Sequence, residues 1–145
     1  MSERLHIDNL LANYNSYGTP RDRWLVGGEY ERAVVRSDGR PVDYHDPDGI
    51  RFIVEQIAAR TGWKIKREGE FPTECAGDGA SITLEPGGQV ELSGAPFRRL
   101  HDLAEEVRRN RDMLHAISAG HDHAWIACGL TPYPRIDDIR FVPKG

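Results

Sequence analysis

Two turn signals, Ala76-Gly77-Asp78-Gly79 and Pro86-Gly87-Gly88, cut the middle of the chain into short runs: Phe71–Cys75, Ala80–Leu84 and Gln89–Ser93. Glycine supplies the positive φ that tight reversals need, and runs of about five residues between such turns are strand-length. A chain punctuated in this way folds back on itself repeatedly, so the segment reads as a meander of short antiparallel strands.

The flanks carry helical patterns. Ser2 is a candidate cap for a first helix to about Asn13, with Leu5, Leu10 and Leu11 on its apolar side. Tyr17–Arg23, with Gly18 and Pro20, reads as a loop. Trp24–Arg36 reads as a strand, Ser37-Asp38-Gly39 as a turn, and Arg40–Tyr44 as the returning strand, placed at an edge by Pro41. Asp46 or Asp48 is the expected cap of a second helix, with Pro47 near its first turn. Its apolar positions Ile50, Ile53, Val54, Ile57 and Ala58 keep the helical spacing, and Gly62 ends it. Trp63–Arg67 alternates as a strand. A long helix is expected from about Pro96 to Ala119, with Leu100, Leu103, Val107, Leu114 and Ile117 in phase and Gly120 as its stop. His123–Gly129 reads as a last strand, and the tail contains Pro132, Pro134 and Pro143. Strands joined by hairpins between long helices predict an α+β fold, a mainly antiparallel sheet with helices on one face.

Composition bounds the function classes. The 145 residues suffice for one domain with a real core, and a net charge of −4 argues against nucleic-acid binding. The basic cluster Arg108, Arg109 and Arg111 is broken by Glu105 and Glu106 and reads as a solvated helix face. No apolar run reaches the ~18 residues of a membrane span, and the start lacks signal-peptide order. Two distant cysteines, Cys75 and Cys128, fit packing roles in a reduced, cytoplasmic setting. His121 and His123 form a His-x-His pair able to bind zinc or copper, but beside a helix end they read as exposed polar residues. His101 and His115 read as helix packing or solvent contacts, Trp125 and Tyr133 as core rather than ligand-stacking residues.

The chemical interest lies in four glutamates. Glu29 and Glu31 are two apart on a strand, so both leave the same face. Glu85 sits where a strand meets the Pro-Gly-Gly turn, and Glu91 lies on the strand leaving it, so the reversal brings them within reach of one site. Carboxylates on neighbouring strands suit a hard cation such as magnesium, which prefers oxygen ligands and shares its shell with nucleotide phosphates. The purpose of such a site would be phosphoryl transfer. The same alternation is also that of an ordinary solvent-facing strand, and spacing leaves both readings open.

Leu84–Pro96, LEPGGQVELSGAP, resembles the signature of plant-type glutamate–cysteine ligases over thirteen consecutive positions. Gly27-Gly28-Glu29-Tyr30-Glu31 is similar to the family's first-strand pattern Gly-x-Glu-x-Glu. Gly62-Trp63, Leu100-His101, Gly129 with Pro132, and Pro143-Lys144-Gly145 follow in the expected order, so the resemblance runs from Trp24 to Gly145. Gly28 stands where a bulkier residue is common, and Arg-Ala-Val-Val follows Glu31 in place of a commoner aromatic-containing sequence.

The resemblance implies a glutamine synthetase-like fold, here incomplete, with residues 1–145 as the amino-terminal part of a ligase catalytic domain. It implies ATP- and magnesium-dependent ligation of the γ-carboxylate of L-glutamate to L-cysteine through a γ-glutamyl phosphate, a step of glutathione biosynthesis. By motif position Glu29 and Glu31 match the first-strand metal carboxylates, and Glu85 and Glu91 the acidic positions of the second motif. Gln89 and Ser93 share strand parity with Glu91 and are candidate substrate-binding residues, with a structural hairpin role as the alternative. No catalytic side chain is assigned. Family enzymes are longer, their pattern continues past Val142-Pro143-Lys144-Gly145, and no Walker-type phosphate loop is present. The expectation is therefore a chain inactive by itself, whose partner is a carboxy-terminal remainder. Two alternatives stay open: another carboxylate–amine ligase of the same superfamily, and a non-enzymatic half of a split enzyme.

Overall fold

A computed structural model describes residues 6–129 and Pro143. Six strands form one sheet in the order β2-β3-β4-β5-β1-β6, every pairing antiparallel. The strands are β1 (Glu29–Val35), β2 (Lys64–Glu68), β3 (Phe71–Gly77), β4 (Ala80–Glu85), β5 (Gln89–Ser93) and β6 (Ala124–Ile126). Three α-helices accompany them: α1 (Ile7–Ser16), α2 (Ile50–Thr61) and α3 (Leu100–Ser118).

The expected meander forms with sharper turns. Ala76 and Gly77 extend β3, and the reversal uses only Asp78 and Gly79, both at positive φ (55° and 80°). That is the requirement of a type I′ hairpin, which matches the twist of the strands it joins. Pro86-Gly87-Gly88 closes the next hairpin, pairing Glu85 with Gln89.

Alternation then sorts the side chains. Val34, Ile82, Leu84, Val90 and Leu92 face one side and join Ile50, Ile53, Val54, Ile57, Leu114 and Ile117 of α2 and α3 in the core. Both helices thus lie on one face, as expected for the α+β class. Cys75 is in that core, Cys128 is half-buried, and Trp125 packs against the core while its indole donates to Ser118 Oγ at 2.7 Å.

Several expectations are corrected. Helix α1 begins at Ile7 behind His6, whose Nδ1 accepts from Asp8 N–H, and it runs on to Ser16; Ser2 and Leu5 lie outside the described residues. Strand β1 starts at Glu29, because Gly27-Gly28 interrupts the pattern; only a single bridge, Val26–Phe97, precedes it. The returning strand at Arg40–Tyr44 reduces to one bridge, Val35–Pro41. Proline lacks the N–H a ladder needs, and Tyr44 instead enters the core, donating to Pro72 O at 2.8 Å. Helix α3 starts at Leu100, whose side is solvent-facing at 72% exposure, since Phe97 is held in its bridge to Val26. The last strand shrinks to three residues, and Tyr133, Pro132 and Pro134 lie outside the described residues.

The cap of α2 is Gly49, with no side-chain hydrogen bond. Asp46 and Asp48 are taken by Arg36 at the end of β1: its Nη1 donates to Asp48 Oδ2 (2.9 Å), and its Nη2 to Asp48 Oδ1 (2.8 Å) and Asp46 Oδ2 (2.7 Å). A guanidinium fork on a carboxylate is a stronger contact than a helix cap. His121 Nδ1 and His123 Nε2 stand 3.3 and 3.4 Å from Asp48 Oδ2. His123 has a fully buried side chain and neither ring nitrogen makes a hydrogen bond, so the exposed reading fails for it. Its ring stacks on that of His121.

This cluster makes stability pH-dependent. The Arg36 fork holds the Asp48 carboxyl well below its usual range, and that contribution is lost as acid protonates it. Burial pushes the His123 imidazole down from 6.5, against the pull of Asp48 and with the help of Arg36 and His121. The unfolded chain then binds a proton the folded one does not, so stability falls as pH drops below about 6.5. The urea midpoint is expected to fall between pH 7 and pH 5, with a flatter profile in His123→Gln. A midpoint that rises on acidification would show that attraction to Asp48 outweighs burial.

Candidate functional site

The face of the sheet opposite α2 and α3 carries the odd-numbered residues of β1, β4 and β5. Pairing across the strands aligns them in rows. Glu31 lies opposite Glu91, which lies opposite Thr83, which lies opposite Glu74, which lies opposite Lys66. The neighbouring row runs Glu29, Ser93, Ser81, Ala76, Lys64. Directly paired residues share a face, so these side chains form one polar floor.

The six residues singled out in the sequence take different places on it. Glu31 and Glu91 are direct cross-strand neighbours, and Glu29 is diagonal to Glu91 through Ser93. Glu85 pairs with Gln89 at the other end of β5. It is diagonal to Glu91 on the side away from Glu29, so Glu29 and Glu85 are separated by roughly 13 Å along the strands. Ser93 Oγ donates to Glu91 Oε1 at 2.9 Å, making Ser93 a support for that carboxylate. Gln89 is buried and its Nε2 donates to Cys128 O at 3.3 Å, tying β5 to the segment after β6. Glu29, Glu31, Glu91 and Ser93 thus come together, while Glu85 and Gln89 mark a second position.

Among the described residues no three His, Cys, Asp or Glu side chains converge closely enough to form a metal cage. A pair of opposed carboxylates still fits magnesium, which keeps several waters and takes one or two protein carboxylates beside substrate phosphates. Like charges directly opposed across strands destabilise a sheet unless a cation lies between them.

Gly28 has a packing reason. A Cβ there would stand 2.8 Å from the Tyr30 ring and 3.0 Å from Leu103, so the bulkier residue of the family pattern has no room. Gly27, Gly28, Glu29, Ser93 and Gly94 line a small concavity where β1 and β5 meet. Sequence reasoning missed Thr83, Ser81 and Glu74 on the same floor; the strand parity of Ala80–Leu84, read through the Pro-Gly-Gly turn, would have found the first two.

Comparison with known proteins fits this arrangement. Glutamate-cysteine ligase family 2 (GCS2) matches residues 25–145. The chain belongs to this family. Glutamate–cysteine ligase B, chloroplastic, of Oryza sativa subsp. japonica is 35% identical over 147 residues, covering 100% of this chain and 29% of the relative. Glutamate–cysteine ligase, chloroplastic, of Arabidopsis thaliana is 32% identical over 145 residues, covering 99% and 27%. The chain therefore spans under a third of the length of these glutamate–cysteine ligases; Gly27–Glu31 leads into β1, and Leu84–Pro96 runs from the end of β4 through β5, the two strands β1 and β5 carrying the acidic pair. No helix among the described residues is long and apolar enough to cross a membrane.

Without a cation, Glu31→Gln is expected to stabilise the chain by about 0.2–1 kcal/mol by relieving repulsion from Glu91. Thermal melts with and without magnesium check this: the wild type gains from the ion and the variant does not. A variant that is less stable without magnesium would show that the pair is not repulsive.

Proposed function

We propose that the polar floor is the magnesium- and substrate-binding surface of a glutamate–cysteine ligase, and that residues 1–145 are the amino-terminal part of its catalytic domain. The observation that carries this reading is the register that sets Glu31 against Glu91 on the face opposite α2 and α3. Family membership supplies the reaction: ATP-dependent ligation of L-glutamate, through its γ-carboxylate, to L-cysteine by way of a γ-glutamyl phosphate.

In this reading the opposed pair Glu31 and Glu91 holds the ion, with Ser93 steadying Glu91, while Glu29 beside the pair and Glu85 at the other end of β5 face the bound substrates. Magnesium bound there would neutralise charge on the ATP phosphates and orient the reacting oxygens. Gln89 closes the floor at the β6 side by its bond to Cys128 O. The concavity at Gly27, Gly28 and Gly94 lets a ligand approach the backbone closely.

In this reading the reaction also draws on groups that the rest of the family sequence would supply. Lys64 and Lys66, the basic side chains in the two rows of this floor, stand on β2, roughly 19 Å from β1 across four strand spacings. Lys66 is paired with Glu74 at 3.0 Å. Among the described residues of these two rows no basic side chain stands beside Glu31, and the chain spans 29% of the rice ligase it resembles. The 145-residue chain is therefore expected to show no ATP-dependent formation of γ-glutamylcysteine. In a protein carrying the rest of the family sequence, Glu29→Gln or Glu31→Gln should lower magnesium-dependent turnover by about tenfold or more. Robust turnover by the chain alone would overturn the expectation of inactivity, and near-normal activity of both variants would overturn the assignment of the floor.

A second reading, a half that docks on a complementary chain, draws on α1. Ile7, Leu10, Leu11 and Tyr14 fall at helical spacing on one side, yet no residue of this helix is buried. A ten-residue helix gains little stability in isolation. Size-exclusion chromatography of the chain mixed with the remaining family sequence, supplied as a separate polypeptide, is expected to show co-elution under this reading. Separate elution of two monomers would count against it.

A further inference from the structure

We propose that Glu106 is a positioning residue for the acidic floor, acting from the opposite side of the sheet through the exit of β5; the inference rests on reading that floor as a cation- and substrate-binding surface. Its neighbours on α3 behave as a solvated face. Glu105 pairs with Arg108 at 2.7 Å and Arg109 at 3.8 Å. Glu106 does not join them. Its Oε1 accepts the Ala95 N–H at 2.9 Å, and its Oε2 is buried with no hydrogen-bond partner.

An orphaned carboxylate oxygen is costly, and it lies against one place in particular. A Cβ on Gly94 would collide with Oε2 and stand 3.0 Å from Gly28 O. Gly94 N–H in turn donates to Gly28 O at 2.8 Å. The carboxylate therefore closes over the point where the chain leaves β5 and where β1 is about to begin.

Each residue there connects to the floor. Ser93, immediately before Gly94, pairs with Glu29 and donates its hydroxyl to Glu91. Gly28 immediately precedes Glu29. Rotation of the backbone at 93–95 would swing Ser93 off Glu91 and loosen the Glu29–Ser93 pair together. The Ser-Gly-Ala run of the motif acquires a physical meaning: a hydroxyl for Glu91, a missing Cβ for the Glu106 carboxylate, and an N–H for Glu106 to accept. Glu106 touches no ligand; it determines where the groups that do so stand.

The test uses the whole 145-residue chain, with manganese as a spectroscopically visible oxygen-seeking probe. Backbone amide spectra and manganese titrations are compared for wild type, E106Q, E106A and G94A, with E31Q as a control on the floor itself. The E106Q side chain keeps an oxygen for Ala95 N–H and the same shape beside Gly94, so this variant should match wild type. E106A should move the amide resonances of Ala95, Ser93, Glu91 and Glu29 and weaken manganese binding by about tenfold. G94A, which drives a methyl group into the carboxylate, should reproduce those shifts even if E106A folds poorly. Unchanged Glu29 and Glu91 resonances with unchanged affinity in folded E106A, or in G94A, would overturn the proposal. So would an E106Q that behaves like E106A. If wild type and E31Q alike fail to bind manganese while E106A still displaces Ser93 and Glu91, the cation reading falls and the positioning role stands.

Discussion

The structure depends on the register of β5 between β4 and β1. Side chains alternate with a period of two, so a slip of one residue would exchange the two faces. Val90 and Leu92 would then turn to the open floor, and Glu91 and Ser93 would enter the core against α2 and α3. In this register Ile82 and Leu84 of β4 stand opposite Leu92 and Val90, and Val34 joins them in the core. The hydrophobic effect that holds the helices to the sheet therefore also holds the carboxylates in place.

This arrangement separates stability from chemistry. The face under α2 and α3 supplies burial, and the opposite face sets Glu31 against Glu91, a like-charge pair that costs free energy when no cation lies between them. Such a floor persists because the other face over-determines it. The same division appears at the edge of the sheet, where Arg36 draws Asp46 and Asp48 away from the helix they were expected to cap. Their charge is spent on joining β1 to the start of α2, with His123 sealed beside them.

Much of this was readable from local chemistry. The glycine turns marked β3, β4 and β5 to within two residues, and the apolar spacing of Ile50–Ala58 marked α2. Parity placed Glu29 with Glu31, and Gln89 with Glu91 and Ser93. What escaped were the contacts between distant segments. Asp48 looked like a helix cap because its neighbours are helix-like, and Arg36 is invisible from there. His123 looked exposed because a helix end precedes it, and its burial depends on β6 pairing with β1. Leu100 kept helical phase with the core positions of α3 but stands at the solvent-facing start of that helix.

The sequence by itself determined the family, the α+β class, the hairpins and which glutamates share a strand face. These follow from motifs and from periodicities of two and 3.6, which are local properties of the chain. Only the tertiary structure decided that Glu31 opposes Glu91 while Glu85 stands apart, that Ser93 supports Glu91, and that Glu106 leaves its helix surface for Gly94 and Ala95. Those relations join residues on separate elements. They depend on strand order, register and the seating of α3 against the sheet, none of which a local periodicity specifies.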